Sequence, residues 1–450
     1  GVNAGNSITS GGNYNTVLGD EAGTAITTGD LHTFIGYGAG DAVTTDATGL
    51  TAVGANALTS NTSGTDNLAI GVSALEDCTE GIGNVAVGRY AAADIVDADG
   101  NVAIGGYDGT VQPAMRLNTK SHDNVAIGAG ALAAHNLTNN SSGFNTAVGY
   151  AAGNAVTTGA YNTLLGSLAG DTLTDADYNI AIGYAALTND TLGSRSVAIG
   201  VAALEAQNFT SATNSYNTAV GFSAGNAITT GIKNTIIGGL AGDALTDADS
   251  NVALGYQALS YDLLGSNSVA IGNQALTTQR FTSAINSYTT AVGAQAGQEV
   301  TTGTHNTFIG GLAGDANTTG YYNVAVGASA LSGNTTAINN TAVGYQALYV
   351  NTTGAGNTAL GGGALDSLTT GNNTIAIGYL AGSAVTTGTN NTFVGQAAGQ
   401  ATTGSYNNFF GGGNGRAAGI SVTSGSKNTI LGGYNGNQGG LDIRTASNNV

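Results

Sequence analysis

The sequence predicts an all-β protein, a β-solenoid (a parallel β-helix or β-roll) of about 24 coils with about 17 residues in each coil. The first observation behind this prediction is a glycine that recurs along the whole chain, with 16 of its 23 spacings equal to 17 residues and four equal to 21. The second is the string before the glycine, which follows the pattern N-T-A-V or N-V-A-I, as at 145–148 and 101–104. Recurrence at a fixed period is typical of stacked, quasi-one-dimensional folds.

The residues just before each glycine predict a short β-strand. The residue next to the glycine is branched and apolar in every coil but one, as in Leu18, Ile35 and Val53, and Phe410 is the exception. Two places earlier stands Thr, Val or a similar residue. Because side chains alternate across a strand, these two positions share one face and the residue between them lies on the other. We expect the branched face to fill the interior of the solenoid.

Two further columns predict the corners of the coil. The residue before the strand is Asn in 18 of 24 coils, and Asn favours turns and can form hydrogen-bonded ladders between stacked coils. The residues that represent this structural ladder are Asn145, Asn162, Asn179, Asn217, Asn234 and Asn251. Ala fills the third position after the glycine in 21 of 24 coils, which suits a tight inward corner. We name each coil by the number of its repeated glycine. The fourth position after the glycine alternates as Gly, Gly, Leu, Leu from coil 149 to coil 344.

A second strand and a turn are expected to close each coil, as at A-V-T-T-G, 155–159. With strands about 4.8 Å apart, 24 coils predict a rod on the order of 115 Å long. We expect a continuous rod over residues 1–440, with an irregular excursion at 106–123, and the start of a C-terminal connecting segment at 441–450. The excursion is either a place for a specific contact or a bulge without a partner. Four-residue insertions at 128–149, 200–221 and 272–293 predict loops that line up along one side.

The middle residue of the strand predicts an interface between chains. It is usually Ala, but it is large at several positions, of which the candidate interchain face is Phe34, Leu164, Ile236, Phe308 and Phe393. If the branched residues fill the interior, these side chains would form an exposed apolar stripe, and an identical chain is the expected cover. The sequence therefore predicts a homo-oligomer, a trimer. The alternative is a flattened coil in which both faces are internal.

Charge and composition exclude several classes of function. The formal net charge is −18, and the nine basic residues are spread along the chain without a cluster that could follow a phosphate backbone, so we expect no nucleic-acid partner. No apolar run is long enough to span a membrane as a helix. The single cysteine and four scattered histidines do not have the spacing of a metal site or a catalytic triad. We therefore expect no catalytic residues, no cofactor and no metal, and interpret the chain as not an enzyme.

Three surface features leave binding functions open. The D-A-D turns at 97–99, 175–177 and 247–249 suggest either calcium ligands or solvated turns. Recurrent tyrosines suggest either stacking on a receptor's sugar rings or stacking on one another. Thr-Thr pairs that repeat once per coil from residue 301 suggest an ice-binding surface as a weaker alternative.

The repeat resembles two known families. The strings N-T-A-V-G-Y at 145–150, S-V-A-I-G at 196–200 and 268–272, and N-V-A-I-G at 101–105 resemble head repeats of trimeric autotransporter adhesins and, more closely, repeat regions of bacteriophage tail fibres. The closing L-D-I-R-T-A-S-N-N-V at 441–450 is similar to a segment that often precedes an endosialidase-type chaperone in tail fibres. The resemblance implies a left-handed, trimeric solenoid on a virion or cell surface.

From these observations we expect the structural shaft of a tail fibre or related surface fibre that supports attachment to a host. A bacterial trimeric adhesin or a self-assembling extracellular filament is the alternative. The partners would be the chain itself and a bacterial surface glycan or protein receptor.

Overall fold

The computed structural model describes residues 1–44, 47–107, 109–413, 416–438 and 441–450. The described residues form an all-β protein without a helix. The chain divides into two compact units, residues 1–232 and 233–450. Each unit is a parallel β-solenoid whose coils follow the 17-residue period of the sequence, with 12 main strands in each unit and about 24 coils in all.

In the first unit, one three-residue strand precedes each repeated glycine. These main strands are β1 Thr16–Leu18, β2 Thr33–Ile35, β3 Thr51–Val53, β4 Leu68–Ile70, β5 Val85–Val87, β6 Val102–Ile104, β7 Val125–Ile127, β8 Thr146–Val148, β9 Thr163–Leu165, β10 Ile180–Ile182, β12 Val197–Ile199 and β14 Thr218–Val220. Two short strands, β11 Gly193–Ser194 and β13 Thr213–Asn214, pair with each other in parallel beside the main sheet.

The second unit repeats this arrangement. Its main strands are β15 Thr235–Ile237, β16 Val252–Leu254, β18 Val269–Ile271, β20 Thr290–Val292, β21 Thr307–Ile309, β22 Val324–Val326, β23 Thr341–Val343, β24 Thr358–Leu360, β25 Ile375–Ile377, β26 Thr392–Val394, β27 Asn408–Phe410 and β28 Thr429–Leu431. The parallel side pair is β17 Gly265–Ser266 with β19 Ile285–Asn286, and β29 Asn437–Gln438 pairs in antiparallel with β30 Leu441–Asp442.

Successive main strands within a unit pair in parallel and in register. For example, the three residues of β9 lie opposite the corresponding three residues of β10, so that Leu164 faces Ala181 and Leu165 faces Ile182. Equivalent positions of the repeat therefore form columns along the stack. With about 4.8 Å between neighbouring strands, the main sheet of each unit is about 50 Å long.

The five side chains proposed for an interface between chains do not lie on an outer face. Phe34, Leu164, Ile236, Phe308 and Phe393 are all fully buried within their own unit. The prediction of which strand face points inward was wrong, and so was the flattened alternative, because the middle position is buried in every main strand except β1 while the two flanking positions are half-buried or exposed. A 17-residue coil encloses a narrow interior, which accommodates one column of mostly small residues but not two columns of branched ones.

The repeated glycine is required by the close approach of neighbouring coils. Gly166 has a φ of +141°, and a Cβ atom at this position would lie 2.4 Å from the carbonyl oxygen of Gly183 in the next coil. Any side chain would therefore separate the coils. The alanine corner is also confirmed, since Ala152, Ala169 and Ala186 are fully buried.

The predicted second strand is absent from residues 155–159, which the structure describes as turn and bend. Single backbone bonds still link the coils there, as from the Thr157 amide to the Thr174 carbonyl (3.0 Å). Thr and Gly at this corner turn the chain too sharply for a three-residue ladder. Among the described residues, parallel second strands occur at β11 with β13 and at β17 with β19, where the inserted loops lengthen the coil.

The asparagine column forms a hydrogen-bonded ladder inside each unit. The Asn162 amide N–H donates to Oδ1 of Asn145 (2.9 Å), and the Asn179 N–H donates to Oδ1 of Asn162 (2.9 Å). The side-chain Nδ2 of Asn162 donates to the carbonyl of Ala176 (2.8 Å), which lies across the same coil. The same Nδ2 bond, spanning 14 residues, is made by Asn145, Asn179, Asn217, Asn234 and Asn251. Each asparagine thus joins neighbouring coils and also closes its own coil.

The irregular excursion is shorter than the predicted 106–123. The backbone returns to the stack at Ala114, whose N–H donates to the Gly105 carbonyl (3.0 Å). The N–H of the buried Met115 donates to the Ala131 carbonyl of the next coil (3.0 Å). Six inserted residues account for the spacing of 23 between Gly105 and Gly128.

The segment 441–450, expected to be the start of a C-terminal connecting segment, makes hydrogen bonds to the last main strand and extends the asparagine ladder. Thr429 donates its N–H to the Asn449 carbonyl, and the Asn449 N–H donates to Oδ1 of Asn428, as in the ladder. Ile443 is buried. The strings I-R-T-A-S-N-N and V-T-T-G-A-Y-N place Thr and Asn at matching distances, which explains this pairing.

Candidate interaction surfaces

The outward residues of the main strands form one continuous surface in each unit, which we call the outer strand face. It consists of the first and third residues of every main strand, and none of them is buried. Its exposed large apolar members in the first unit are Leu18, Ile35, Ile70, Ile104, Leu165 and Ile180. In the second unit they are Ile237, Leu254, Ile309, Leu360, Ile375, Ile377, Phe410 and Leu431.

The outer strand face carries no charge in a chain with a formal net charge of −18, because none of the 24 main strands contains a charged residue. Apart from Thr hydroxyls and Asn408, its side chains are hydrocarbon or aromatic. Its length of about 50 Å and a width of about 10 Å give an area on the order of 500 Å² in each unit. That area matches the largest apolar patches that monomers leave exposed.

Aromatic side chains stack on one another beside the sheet. In the first unit, Phe144 stacks on Tyr161 (centroids 5.3 Å apart), and Tyr161 stacks on Tyr178 at 4.8 Å with an interplanar angle of 4°. The Arg195 guanidinium lies over the next face of Tyr178, 4.9 Å from its centroid. In the second unit, His305 lies between Tyr288 and Tyr322. The ring faces of Tyr161 and Tyr178 are therefore occupied, which favours mutual stacking over stacking on sugar rings.

The threonine pairs form one bonded and one open column. The first hydroxyl of a pair donates to a carbonyl of the next coil, as from Thr301 to Thr318 (3.1 Å) and from Thr318 to Thr335 (2.9 Å). The second threonine is exposed in six successive pairs, at positions 302, 319, 336, 353, 370 and 387. A single open column of hydroxyls is narrow for binding a lattice plane.

A buried polar network anchors the inserted loop at 208–215. Asp190 is fully buried; its Oδ2 accepts a bond from Nε2 of Gln207 (2.6 Å), and its Oδ1 accepts the amide of Phe209 (3.1 Å). The second unit has the same network at Asp262, Gln279 and Phe281, 72 residues later. Burial raises the pKa of Asp262, in spite of these donors. Each inserted loop is thus fixed to the solenoid interior and holds a side strand in place.

A cavity of about 270 Å³ opens beside the side strands β11 and β13 in the first unit. Its polar lining includes Asp175, Asp177, Tyr178, Ser194, Arg195 and Asn214. This cavity brings together one of the D-A-D turns, one end of the aromatic stack and one inserted loop. We call it the side-strand pocket.

Two titratable groups of the interior, Cys78 and His135, are held in their neutral forms near pH 7 by burial. Burial raises the pKa of the Cys78 thiol to about 11, so the thiolate form is scarce near neutral pH. Burial lowers the pKa of His135 to about 4, and its Nε2 lies 2.8 Å from the Ser121 hydroxyl. In the described ranges, no three His, Cys, Asp or Glu side chains are grouped in a way that could hold a metal ion.

The sequence did not single out the outer strand face or Arg195 as candidate contacts. The columns of the outer strand face are visible in the sequence, but their branched apolar residues favour an interior position there. Arg195 could have been noticed because it occupies the column of Tyr161 and Tyr178 and is one of only nine basic residues. The ladder asparagines, in contrast, are buried and bond to one another and to backbone carbonyls as structural residues.

Comparison with known proteins provides no family for this chain. No protein-family model matches it, and no curated protein matches it. Among the residues that the structure describes, no helix is long and apolar enough to cross a membrane.

Proposed function

We propose that this chain is the structural shaft of a bacteriophage tail fibre or a related surface fibre, displayed on a virion or cell surface, and that it supports attachment to a host rather than catalysis. The observation that carries the proposal is the outer strand face, which is apolar, uncharged and repeated at the spacing of the coils. Apolar patches of this size often mark interaction surfaces, and a shaft of laterally packed chains would cover this one.

A second copy of the chain is the partner that fits the outer strand face best. The face repeats every strand, about 4.8 Å apart, so a partner must present complementary side chains at the same interval along its length. Another copy of the chain does so because its strands have the same spacing. It also presents an uncharged face, so contact between two outer strand faces buries no charged side chain.

The assembly we propose is a left-handed homotrimer, as in the families whose repeats this sequence resembles. Three sheets facing a common axis would cover the outer strand faces of all chains at once, and the acidic turns would remain in water. The inserted loops and the stacked aromatic side chains would then lie on the outer surface of the trimer, where they could contact a host glycan or protein.

Negative-stain electron microscopy tests the proposal. We expect unbranched, elongated particles of constant width that is greater than one coil, because several solenoids lie side by side. Compact, isometric particles of the volume of one chain would contradict both the shaft and its lateral packing.

A further inference from the structure

The side-strand pocket has the donors and acceptors of a sugar site. Oδ1 of Asp175 accepts a bond from the Thr158 hydroxyl (2.7 Å), and Oδ1 of Asp177 accepts the amide of Ala160 (2.8 Å). These bonds orient the two carboxylates and leave the second oxygen of each without a hydrogen bond to the described part of the chain. Two such acceptors on one turn can receive bonds from neighbouring hydroxyl groups.

Arg195 supplies the complementary donors. Its guanidinium is held over the ring of Tyr178, 4.9 Å from the centroid, and forms no ion pair with any residue that the structure describes. The side chain is exposed at the pocket, so its N–H groups are available to a ligand oxygen. Because Tyr161 covers the other face of Tyr178, the platform for the guanidinium is rigid.

The equivalent place in the second unit shows which of these features the fold itself needs. The frame is the same there: Asp249 donates its amide to the Ser266 hydroxyl (2.9 Å), as Asp177 does to Ser194 (2.9 Å). The side pair β17 with β19 corresponds to β11 with β13. The lining differs, since Ser250 and Asn267 stand 72 residues after Tyr178 and Arg195.

The stacked tyrosine and arginine are therefore not required to build the loop frame. Nδ2 of Asn267, the residue after β17, donates instead to Oδ1 of Asn286 in β19 (2.8 Å). Both copies of the frame have polar linings, and the first differs by its arginine held over an aromatic ring, which provides charged donors beside two carboxylates.

We propose that the side-strand pocket of the first unit binds a single neutral hexopyranose unit of a surface glycan, with its hydroxyls donating to Asp175 and Asp177 and a hydroxyl or ring oxygen accepting from Arg195. The volume of about 270 Å³ suits one sugar ring. Two carboxylates against one guanidinium disfavour an acidic sugar. The inference rests on the proposed function, since it gives the shaft a lateral contact with the host surface.

Saturation-transfer NMR with the methyl glycosides of glucose, galactose and mannose tests this inference on the whole chain. We expect at least one glycoside to bind to the unchanged protein. The double variant Tyr178→Ser with Arg195→Asn, which installs the residues of the second unit, should bind that glycoside at least about tenfold more weakly. The matched control is Ser250→Ala in the second unit, which should bind as the unchanged protein does.

Three results would overturn the site: no binding of any of the three glycosides, equal binding by the double variant, or loss of binding when EDTA is added, which would indicate a metal site. Stronger binding of methyl glucuronide than of the neutral glycosides would overturn the assignment to neutral sugars. None of these results depends on particle shape or mass, so the shaft and the sugar site can fail separately.

Discussion

Phe308 fills the space that a side chain at Gly314 would need. A Cβ atom at Gly314 would lie 2.4 Å from Cε1 of Phe308, and Gly314 has a φ of +57°. In coil 344 the corresponding positions are Ala342 and Leu348, so the large and small residues are exchanged. A bulky middle-strand residue is therefore accompanied by Gly in its own coil, as Phe308 is by Gly314, and Phe308 also approaches Gly297 of the preceding coil.

This exchange predicts a strong coupling between the two positions. Phe308→Ala should lower the free energy of unfolding by about 3–5 kcal/mol because it leaves a cavity, and Gly314→Leu by about 1–3 kcal/mol because it overpacks the coil. The double variant recreates the pair of coil 344. Its loss of unfolding free energy should be smaller than the sum of the two single losses by about 1–3 kcal/mol. Urea unfolding of the four proteins measures this coupling, and simple additivity would contradict the packing rule.

The asparagine ladder predicts a large cost for one side chain. Asn162→Ala removes the acceptor for the Asn179 amide and the donor for the Ala176 carbonyl, both inside the solenoid. Two buried groups without partners should lower the free energy of unfolding by about 2–4 kcal/mol. The exposed Asn189 is the control, and Asn189→Ala should change stability by less than about 0.5 kcal/mol. Equal effects of the two substitutions would show that the ladder does not stabilise the stack.

His135 predicts a loss of stability in weak acid. Because burial lowers its pKa from 6.5 to about 4, the unfolded chain binds a proton at this residue before the folded chain does as the pH falls. Its contribution to stability is intact above pH 6.5 and is lost progressively towards pH 4, by about 3 kcal/mol in total.

The matched variant is His135→Gln, since Gln207 and Gln279 occupy the same position 72 and 144 residues later. Between pH 7 and pH 4.5 the unchanged protein should lose more stability than the variant does, as measured by hydrogen exchange of the amides around residues 118–146. The buried Asp262, whose pKa is raised, is common to both proteins and cancels in this comparison. Parallel pH profiles would contradict the assignment to His135.

The sequence was sufficient to predict the stack because its strongest signals are backbone requirements. The position of Gly166 in its coil has no room for a side chain. The side chain at the position of Asn162 forms hydrogen bonds both to the next coil and across its own coil. The glycine recurs in every coil and the asparagine in 18 of 24, so both constraints appear as a period. Strand position, register and the alanine corner follow from them.

The inward direction of the strand could not be predicted from the strand alone, since both faces are apolar. The deciding signal lies six residues away, where Gly follows a large middle residue, as Gly314 follows Phe308. Leu follows Ala in many other coils, but Gly follows Ala in coils that precede a large middle residue, as at Ala291 and Gly297. This compensation identifies the middle column as the one that fills the interior. The side-strand pocket was equally hidden, because Asp177, Arg195 and Asn214 come from three successive coils.

The outer strand face predicts which substitutions separate the chains. Leu165→Lys together with Ile180→Lys places two charges on exposed positions of β9 and β10, where they would be buried against another copy. We expect the double variant to be monomeric with an unchanged circular dichroism spectrum. Asn189→Lys adds a charge at an exposed turn and should leave the assembly intact.

Sedimentation equilibrium of the unchanged chain tests the central claim, that outer strand faces of identical chains cover one another. The proposal predicts a single species of three times the 43.9 kDa chain mass, reduced to one chain mass by the Leu165→Lys and Ile180→Lys double variant. A mass of 43.9 kDa for the unchanged chain across micromolar concentrations, or a trimer that the double variant leaves intact, would contradict it.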